Sequence, residues 1–204
     1  MKTAAKLVSY IFHPLLLTTY LVLLLGWALP RFLLIPSIAL LKFAAFVFVI
    51  TFVFPVANIF MLKAFGSISS VEMRDRKERL IPFSMIAVFY AVVVFMFFYK
   101  VGNNVNFNKV MLLVASMTMT ATVVTFFFKI SVHSLAIAGC AGILFSLQRV
   151  AGDGGLLIPM VIAIALSGIV MSSRLYLQAH TLREVLYGAA AGFLIGNGGM
   201  MLLF

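Results

Sequence analysis

Charged side chains are scarce in this sequence, and acidic ones are scarcer still. Of its 204 residues, 64% are hydrophobic and 10% are charged, and only 5 are Asp or Glu. Soluble domains carry about 25% charged residues, so this chain has too little polar surface to cover a water-soluble globule. The few carboxylates also form no cluster able to hold Mg²⁺, so no metal site is expected.

Cysteine is nearly absent as well. The single residue, Cys140, lies inside an apolar run, which excludes a disulfide framework and a metal site built from cysteines. We interpret Cys140 as a small buried hydrophobic residue, and no cofactor is expected.

Long apolar runs are what the sequence has in abundance. About 20 apolar residues cross a hydrocarbon core of about 30 Å, and this length recurs along the chain. The pattern predicts an all-α, polytopic transmembrane bundle that forms a single domain over residues 1–204. Seven helices are predicted, or six at the fewest, at about 8–29, 36–62, 82–100, 108–128, 133–148, 156–172 and 184–204.

Small residues repeat along the last of these helices. Gly188, Gly192 and Gly196 follow one another at four-residue spacing, and such a face lets another helix approach closely. The pattern leaves two partners open, which are a helix of the same chain and a second copy in a homo-oligomer.

Polar residues are concentrated in three connections between helices. The first cluster, residues 67–79, contains Glu72, Arg74, Asp75, Arg76, Lys77, Glu78 and Arg79, and the others cover residues 129–134 and 172–184. In a bundle of alternating spans, the connections 2–3, 4–5 and 6–7 fall on the same side. Ionisable groups near hydrocarbon are costly and usually mark function. The sequence therefore predicts one site at one membrane face.

Two of the clusters contain residue types suited to nucleophilic chemistry. His180 and Glu184 are four residues apart and share one face if both lie on a helix. A carboxylate can accept a hydrogen bond from one imidazole nitrogen and leave the other as a nucleophile. Arg174 offers a planar set of donors for phosphate oxygens. Ser131 can cap the helix that His133 begins, where free amides favour an anion.

These segments resemble the type-2 phosphatidic acid phosphatase superfamily. The family pattern is K-x6-R-P, then P-S-G-H, then S-R-x5-H-x3-D. The third segment here is S-R-L-Y-L-Q-A-H-T-L-R-E, with Glu184 in place of Asp, and the second is I-S-V-H. The first is R-D-R-K-E-R-L-I-P, which keeps Arg79, moves the proline to Pro82 and has Glu72 where the family has lysine. The resemblance covers residues 74–184.

The resemblance implies a role for each matched residue. His180 would attack phosphorus and become a phosphohistidine, Glu184 would orient it, and His133 would protonate the leaving oxygen. The phosphate-binding residues would be Arg174, Arg79, Arg76, Lys77, Ser131 and Ser173. Members of the family need no metal, and the site would face the outside of a bacterial-type cytoplasmic membrane.

The expected function is therefore hydrolysis of a lipid phosphate or diphosphate, of the prenyl diphosphate or phosphatidyl phosphate type. The net charge of +10 suits phosphate ligands and anionic lipid surfaces, and no nucleic-acid partner is expected. One alternative is a non-catalytic binder or transporter of lipid phosphates. Another is a prenyltransferase, although such enzymes need two carboxylate clusters and this chain has one. We interpret His13, which lies before Pro14, as an interfacial residue.

Overall fold

The computed structural model describes residues 2–73, 75–100, 104–151 and 155–204. Arg74, which the sequence places in the first polar cluster, lies outside these ranges. The regular structure of the described residues is helical throughout, which confirms the all-α prediction.

The helices follow one another with short connections. They are α1 (Lys2–Ile11), α2 (Pro14–Ala28), α3 (Pro30–Leu33), α4 (Ser37–Phe48), a π-helical turn (Val49–Val53), α5 (Phe54–Ala64), α6 (Arg76–Lys100), α7 (Val105–Phe127), α8 (Val132–Ala151), α9 (Leu157–Tyr176) and α10 (Leu182–Leu203). Within the described ranges, six helices are long and apolar enough to cross a membrane, with α4, the π-helical turn and α5 forming one of them. The chain is thus a polytopic membrane protein, as predicted.

The first predicted span, 8–29, is divided into two helices. Helix α1 ends at Ile11, α2 begins at Pro14, and the two are bent by 57°. The residue before a proline is disfavoured in the α conformation, and proline itself suits the first turn of a helix. His13 therefore has an extended backbone, with ψ at 136°, and its side chain caps α2. If the bent pair crosses as one span, the spans number seven.

Helix α6 also departs from the prediction. It begins at Arg76, not at residue 82, so Pro82 lies inside the helix and the charged residues 76–79 form its first turn. Pro82 is the seventh residue of α6, beyond the four amides that have no partner within the helix, so the helix lacks the hydrogen bond that an amide at residue 82 would donate to the carbonyl of Glu78.

The glycine face of α10 packs against α8 of the same chain. A Cβ atom added to Gly188 would lie 2.6 Å from the carbonyl oxygen of Ser131, and one added to Gly192 or Gly196 would overlap the carbonyl of Leu135 or Gly139. Backbone therefore fills this face directly. Of the two partners that the sequence left open, the helix of the same chain lies on this face. A homo-oligomer stays a prediction.

Replacement of Gly192 by Ala tests this packing. We expect Gly192→Ala to lower the free energy of unfolding by roughly 2 kcal/mol, because the backbone of α8 must move away. Gly198 lies on the same helix and has no atom within 4 Å of an added Cβ. The control Gly198→Ala should leave stability unchanged or raise it slightly, since Ala favours helix over Gly. Equal thermal stability of the two variants in detergent would contradict the packing.

Candidate active site

The three polar clusters contact one another. Arg79 Nη1 donates to the carbonyl of Ile130 at 3.5 Å and joins the first cluster to the second. The Ser131 amide donates to the carbonyl of Glu184 at 3.1 Å. Lys129 Nζ donates to the carbonyl of Ala179, also at 3.1 Å. The two bonds from Lys129 and Ser131 join the second cluster to the third.

His180 lies in the tight turn between α9 and α10, just before α10 begins. Gln178 has a φ of 52° in this turn, a left-handed conformation that is uncommon for a side chain of this kind. Thr181 then caps α10, with its hydroxyl accepting a hydrogen bond from the Glu184 amide at 3.3 Å. His180 and Glu184 thus meet across a helix N-terminus, whereas the sequence suggested that both lie on the helix.

A short hydrogen bond joins His180 to Glu184. Its length is 2.6 Å between Nδ1 and Oε2, and the His180 side chain is 1% exposed against 20% for Glu184. A carboxylate can only accept, so the proton of this bond lies on Nδ1. The other ring nitrogen, Nε2, then has a free lone pair and can act as a nucleophile or a base.

Burial lowers the pKa of His180 to about 4. The hydrogen bond with Glu184 raises this pKa, while the positive charges of Arg79, Arg174 and Lys129 lower it. His180 is therefore neutral near pH 7, which is the state that a nucleophilic imidazole requires.

His133, the second residue of α8, is held by the N-terminal segment. Its Nε2 lies 3.2 Å from the carbonyl oxygen of Ser9, and since a carbonyl can only accept, Nε2 carries the proton and donates it. Its Nδ1 is buried and has no hydrogen-bond partner among the described residues. A second proton on His133 must therefore enter at Nδ1.

The three histidine rings and two arginines line one cavity of about 1300 Å³. Its polar end is lined by His13, Arg79, His133, Arg174 and His180, and its apolar end by residues that include Val56, Phe83, Tyr90, Met117 and Ala121. Arg79 and Tyr90 are eleven residues apart on α6, which corresponds to roughly 16 Å along the helix axis. The cavity thus reaches about half the depth of a hydrocarbon core.

Two of the predicted phosphate-binding cations lie elsewhere. Arg76 Nη1 donates to the carbonyls of Phe126 at 2.5 Å and Thr125 at 3.3 Å, which are unsatisfied acceptors at the end of α7. Lys77 is exposed. Neither residue lines the cavity, so the structure does not bring Arg76 and Lys77 together with the other predicted phosphate-binding residues.

The hydroxyl groups of the two predicted serine ligands form hydrogen bonds within their own helices. The Ser131 hydroxyl accepts from the Ser134 amide at 3.3 Å and from the Ser134 hydroxyl at 2.9 Å, so it caps α8 as expected. The backbone amide of Ser131 donates to the carbonyl of Glu184. The Ser173 hydroxyl donates to the carbonyl of Ile169, one turn earlier in α9, at 2.8 Å. Neither Ser131 nor Ser173 lines the cavity.

The cavity lining also includes residues that were not assigned to the site from the sequence, among them Lys2, Lys6, His13 and Glu72. His13 lines the polar end, and its ring centroid is 5.5 Å from that of His133, which corrects the interfacial interpretation. The signal in the sequence was the His13-Pro14 pair inside an otherwise apolar run. Glu72 also lines the cavity and interacts electrostatically with Arg174.

Comparisons of the chain with family models, with curated proteins and with solved structures give no match. Among the described residues, no group of three or more His, Cys, Asp or Glu side chains is arranged to hold a metal ion.

Proposed function

We propose that this chain is a metal-independent membrane phosphatase that hydrolyses a lipid phosphate or diphosphate through a phosphohistidine at His180. The observation that carries the proposal is the 2.6 Å bond between His180 and Glu184. It lies at the polar end of a cavity that also contains Arg79, Arg174 and His133.

The first half of the reaction transfers the phosphoryl group to His180. The Nε2 lone pair attacks phosphorus, and the bond from phosphorus to the leaving oxygen breaks with its electron pair on that oxygen. The oxygen takes a proton from Nδ1 of the protonated form of His133. Glu184 stabilises the positive charge that develops on His180, and Arg174 and Arg79 stabilise the charge on the phosphoryl oxygens.

The second half of the reaction releases phosphate. A water molecule loses a proton to His133 Nδ1 and attacks phosphorus, and the phosphorus–nitrogen bond breaks with its electron pair returning to Nε2 of His180. His133 is then protonated again, so the residue acts first as an acid and then as a base. Both protons move through Nδ1, because Nε2 is occupied by the carbonyl of Ser9.

The shape of the cavity favours a lipid substrate over a soluble phosphate ester. A soluble ester would need only the polar end, whereas the cavity continues among apolar side chains of α5, α6 and α7. A hydrocarbon tail can leave the bilayer for that part of the cavity at little cost, because the apolar side chains there resemble the lipid tails around it.

Phosphate release in the presence of a chelator tests the chemistry. We expect His180→Ala to abolish release from lipid phosphates, and Arg79→Ala to lower kcat/KM by about 100-fold or more, because a buried cation at the phosphate is lost. Lys77→Ala is the matched control from the same cluster and should keep wild-type activity. Full activity of His180→Ala would contradict the proposal, as would a strict requirement for Mg²⁺.

Blocking the apolar end tests the binding of the lipid tail. We expect Val56→Trp, which fills the cavity, to raise KM roughly tenfold for a long-chain lipid phosphate and to leave a short-chain analogue unaffected. Val53 is 39% exposed and does not line the cavity, so Val53→Trp is the control. An equal effect of Val56→Trp on both substrates would show that tails bind elsewhere.

One observation favours a non-catalytic binder or transporter of lipid phosphates as the second candidate. Glu72 lines the cavity and occupies the sequence position where the phosphatase family has a lysine. Its negative charge interacts with the positive charge of Arg174. A carboxylate there repels the negatively charged oxygens of the transferring phosphoryl group and so weakens the stabilisation of the transition state. Saturable binding of lipid phosphates without release of inorganic phosphate would support this candidate.

We also propose that the site opens at the outer face of a bacterial-type cytoplasmic membrane, which rests on the family resemblance. A membrane-impermeant maleimide should label Lys77→Cys in intact cells and should not label Val105→Cys, both in a Cys140→Ala background. Lys77 is exposed near the site, and Val105 is 54% exposed at the start of α7, on the opposite end of the bundle. The reverse labelling pattern would place the site inside.

A further inference from the structure

The ring of His13 is held in a fixed orientation between two other rings. Its centroid is 6.1 Å from that of Phe52 and 5.5 Å from that of His133, with interplanar angles of 84° and 83°. Edge-to-face contacts of this kind are favourable for aromatic rings. The break between α1 and α2 brings His13 into this position at the polar end of the cavity.

Hydrogen bonding defines which nitrogen of His13 carries the proton. Its Nδ1 accepts a hydrogen bond from the Leu15 amide at 3.4 Å, so Nδ1 has no proton and the neutral ring carries its proton on Nε2. No group among the described residues accepts a hydrogen bond from Nε2. His13 therefore presents an unused N–H donor in a residue that lines the cavity.

A phosphoryl group needs several donors, and many near the cavity are already used. Arg79 Nε donates to the carbonyl of Met73 at 2.7 Å and its Nη1 to that of Ile130. Arg76 and the Ser131 amide donate to backbone carbonyls as well. Arg174 has a buried Nε without a partner, so it remains available. His13 adds a further donor at this end of the cavity, whose lining also includes the ammonium groups of Lys2 and Lys6.

We propose that His13 is a phosphate-binding residue of the site and donates its Nε2–H to a nonbridging phosphoryl oxygen beside His133. This inference rests on the proposed function for the identity of the ligand as a lipid phosphate. The donor comes from the N-terminal segment, outside the three polar clusters. Because the ring is neutral, it binds an oxygen without adding to the positive charge that already surrounds His180.

Two substitutions separate this role from the capping of α2. Asn is a favoured helix cap, so His13→Asn keeps an acceptor for the Leu15 amide and is too short to replace the Nε2 donor. His13→Gln places an amide N–H near the position of Nε2. If His13 served α2 alone, His13→Asn would behave as wild type.

The experiment measures the Kd of a long-chain lipid phosphonate, which cannot be hydrolysed, together with kcat/KM for the matching lipid phosphate. We expect His13→Asn to keep the wild-type melting temperature and to weaken phosphonate binding about 10- to 100-fold, the usual effect of losing a hydrogen bond to a charged group. His13→Gln should bind more tightly than His13→Asn. Wild-type phosphonate binding by His13→Asn would overturn the inference. Equal weakening of phosphonate binding in His13→Asn and His13→Gln, with both variants folded, would also overturn it.

The two measurements also separate this inference from the proposed function. If the wild-type protein binds the phosphonate but releases no phosphate, hydrolysis is excluded and the weaker binding of His13→Asn still supports the donor. If the wild type is an active phosphatase and His13→Asn matches it in both Kd and kcat/KM, the inference about His13 alone is wrong. Absence of phosphonate binding by the wild type would overturn both.

Discussion

The close approach of α8 and α10 is the contact on which the rest of the site depends. Glycines at three successive turns of α10 let the carbonyl groups of α8 come within the space that a side chain would occupy. At the membrane-face end of this contact, the Ser131 amide bonds to the carbonyl of Glu184. That bond sets His133 at the start of one helix and the His180–Glu184 pair at the start of the other. Two histidines that are far apart in sequence therefore line one cavity.

The same region binds its cations with backbone carbonyls. Arg79 is 6% exposed, and a charge removed from water to this extent needs hydrogen-bond partners. It donates hydrogen bonds to the carbonyls of Met73 and Ile130. Since a carbonyl carries no full negative charge, these bonds do not neutralise the positive electrostatic field of Arg79. Burial, together with that field and the charges of Arg174 and Lys129, holds the pKa of His180 low. The groups that would bind phosphate are thus also groups that keep the proposed nucleophile unprotonated.

The sequence predicted the helical bundle and the meeting of the three clusters, because apolar length defines spans and alternation sends every second connection to one side. It also predicted the proximity of His180 and Glu184 from their spacing, although the pair meets across a capped helix start. The sequence alone could not distinguish a serine that binds phosphate from one whose hydroxyl bonds to nearby backbone groups, as those of Ser131 and Ser173 do. The position of His13 depends on how a bent N-terminal span packs on α8, and no local pattern encodes that contact.

The central claim is that His180 forms a covalent bond to phosphorus. It is tested by mixing purified protein with a lipid phosphate, quenching the reaction in alkali within the first turnover, and locating the phosphoryl group by mass spectrometry of the peptides. We expect an acid-labile phosphoryl group on His180 that is absent from His180→Ala. Turnover with a phosphoryl group on another residue, or with an unmodified His180 at every quench time, would contradict it.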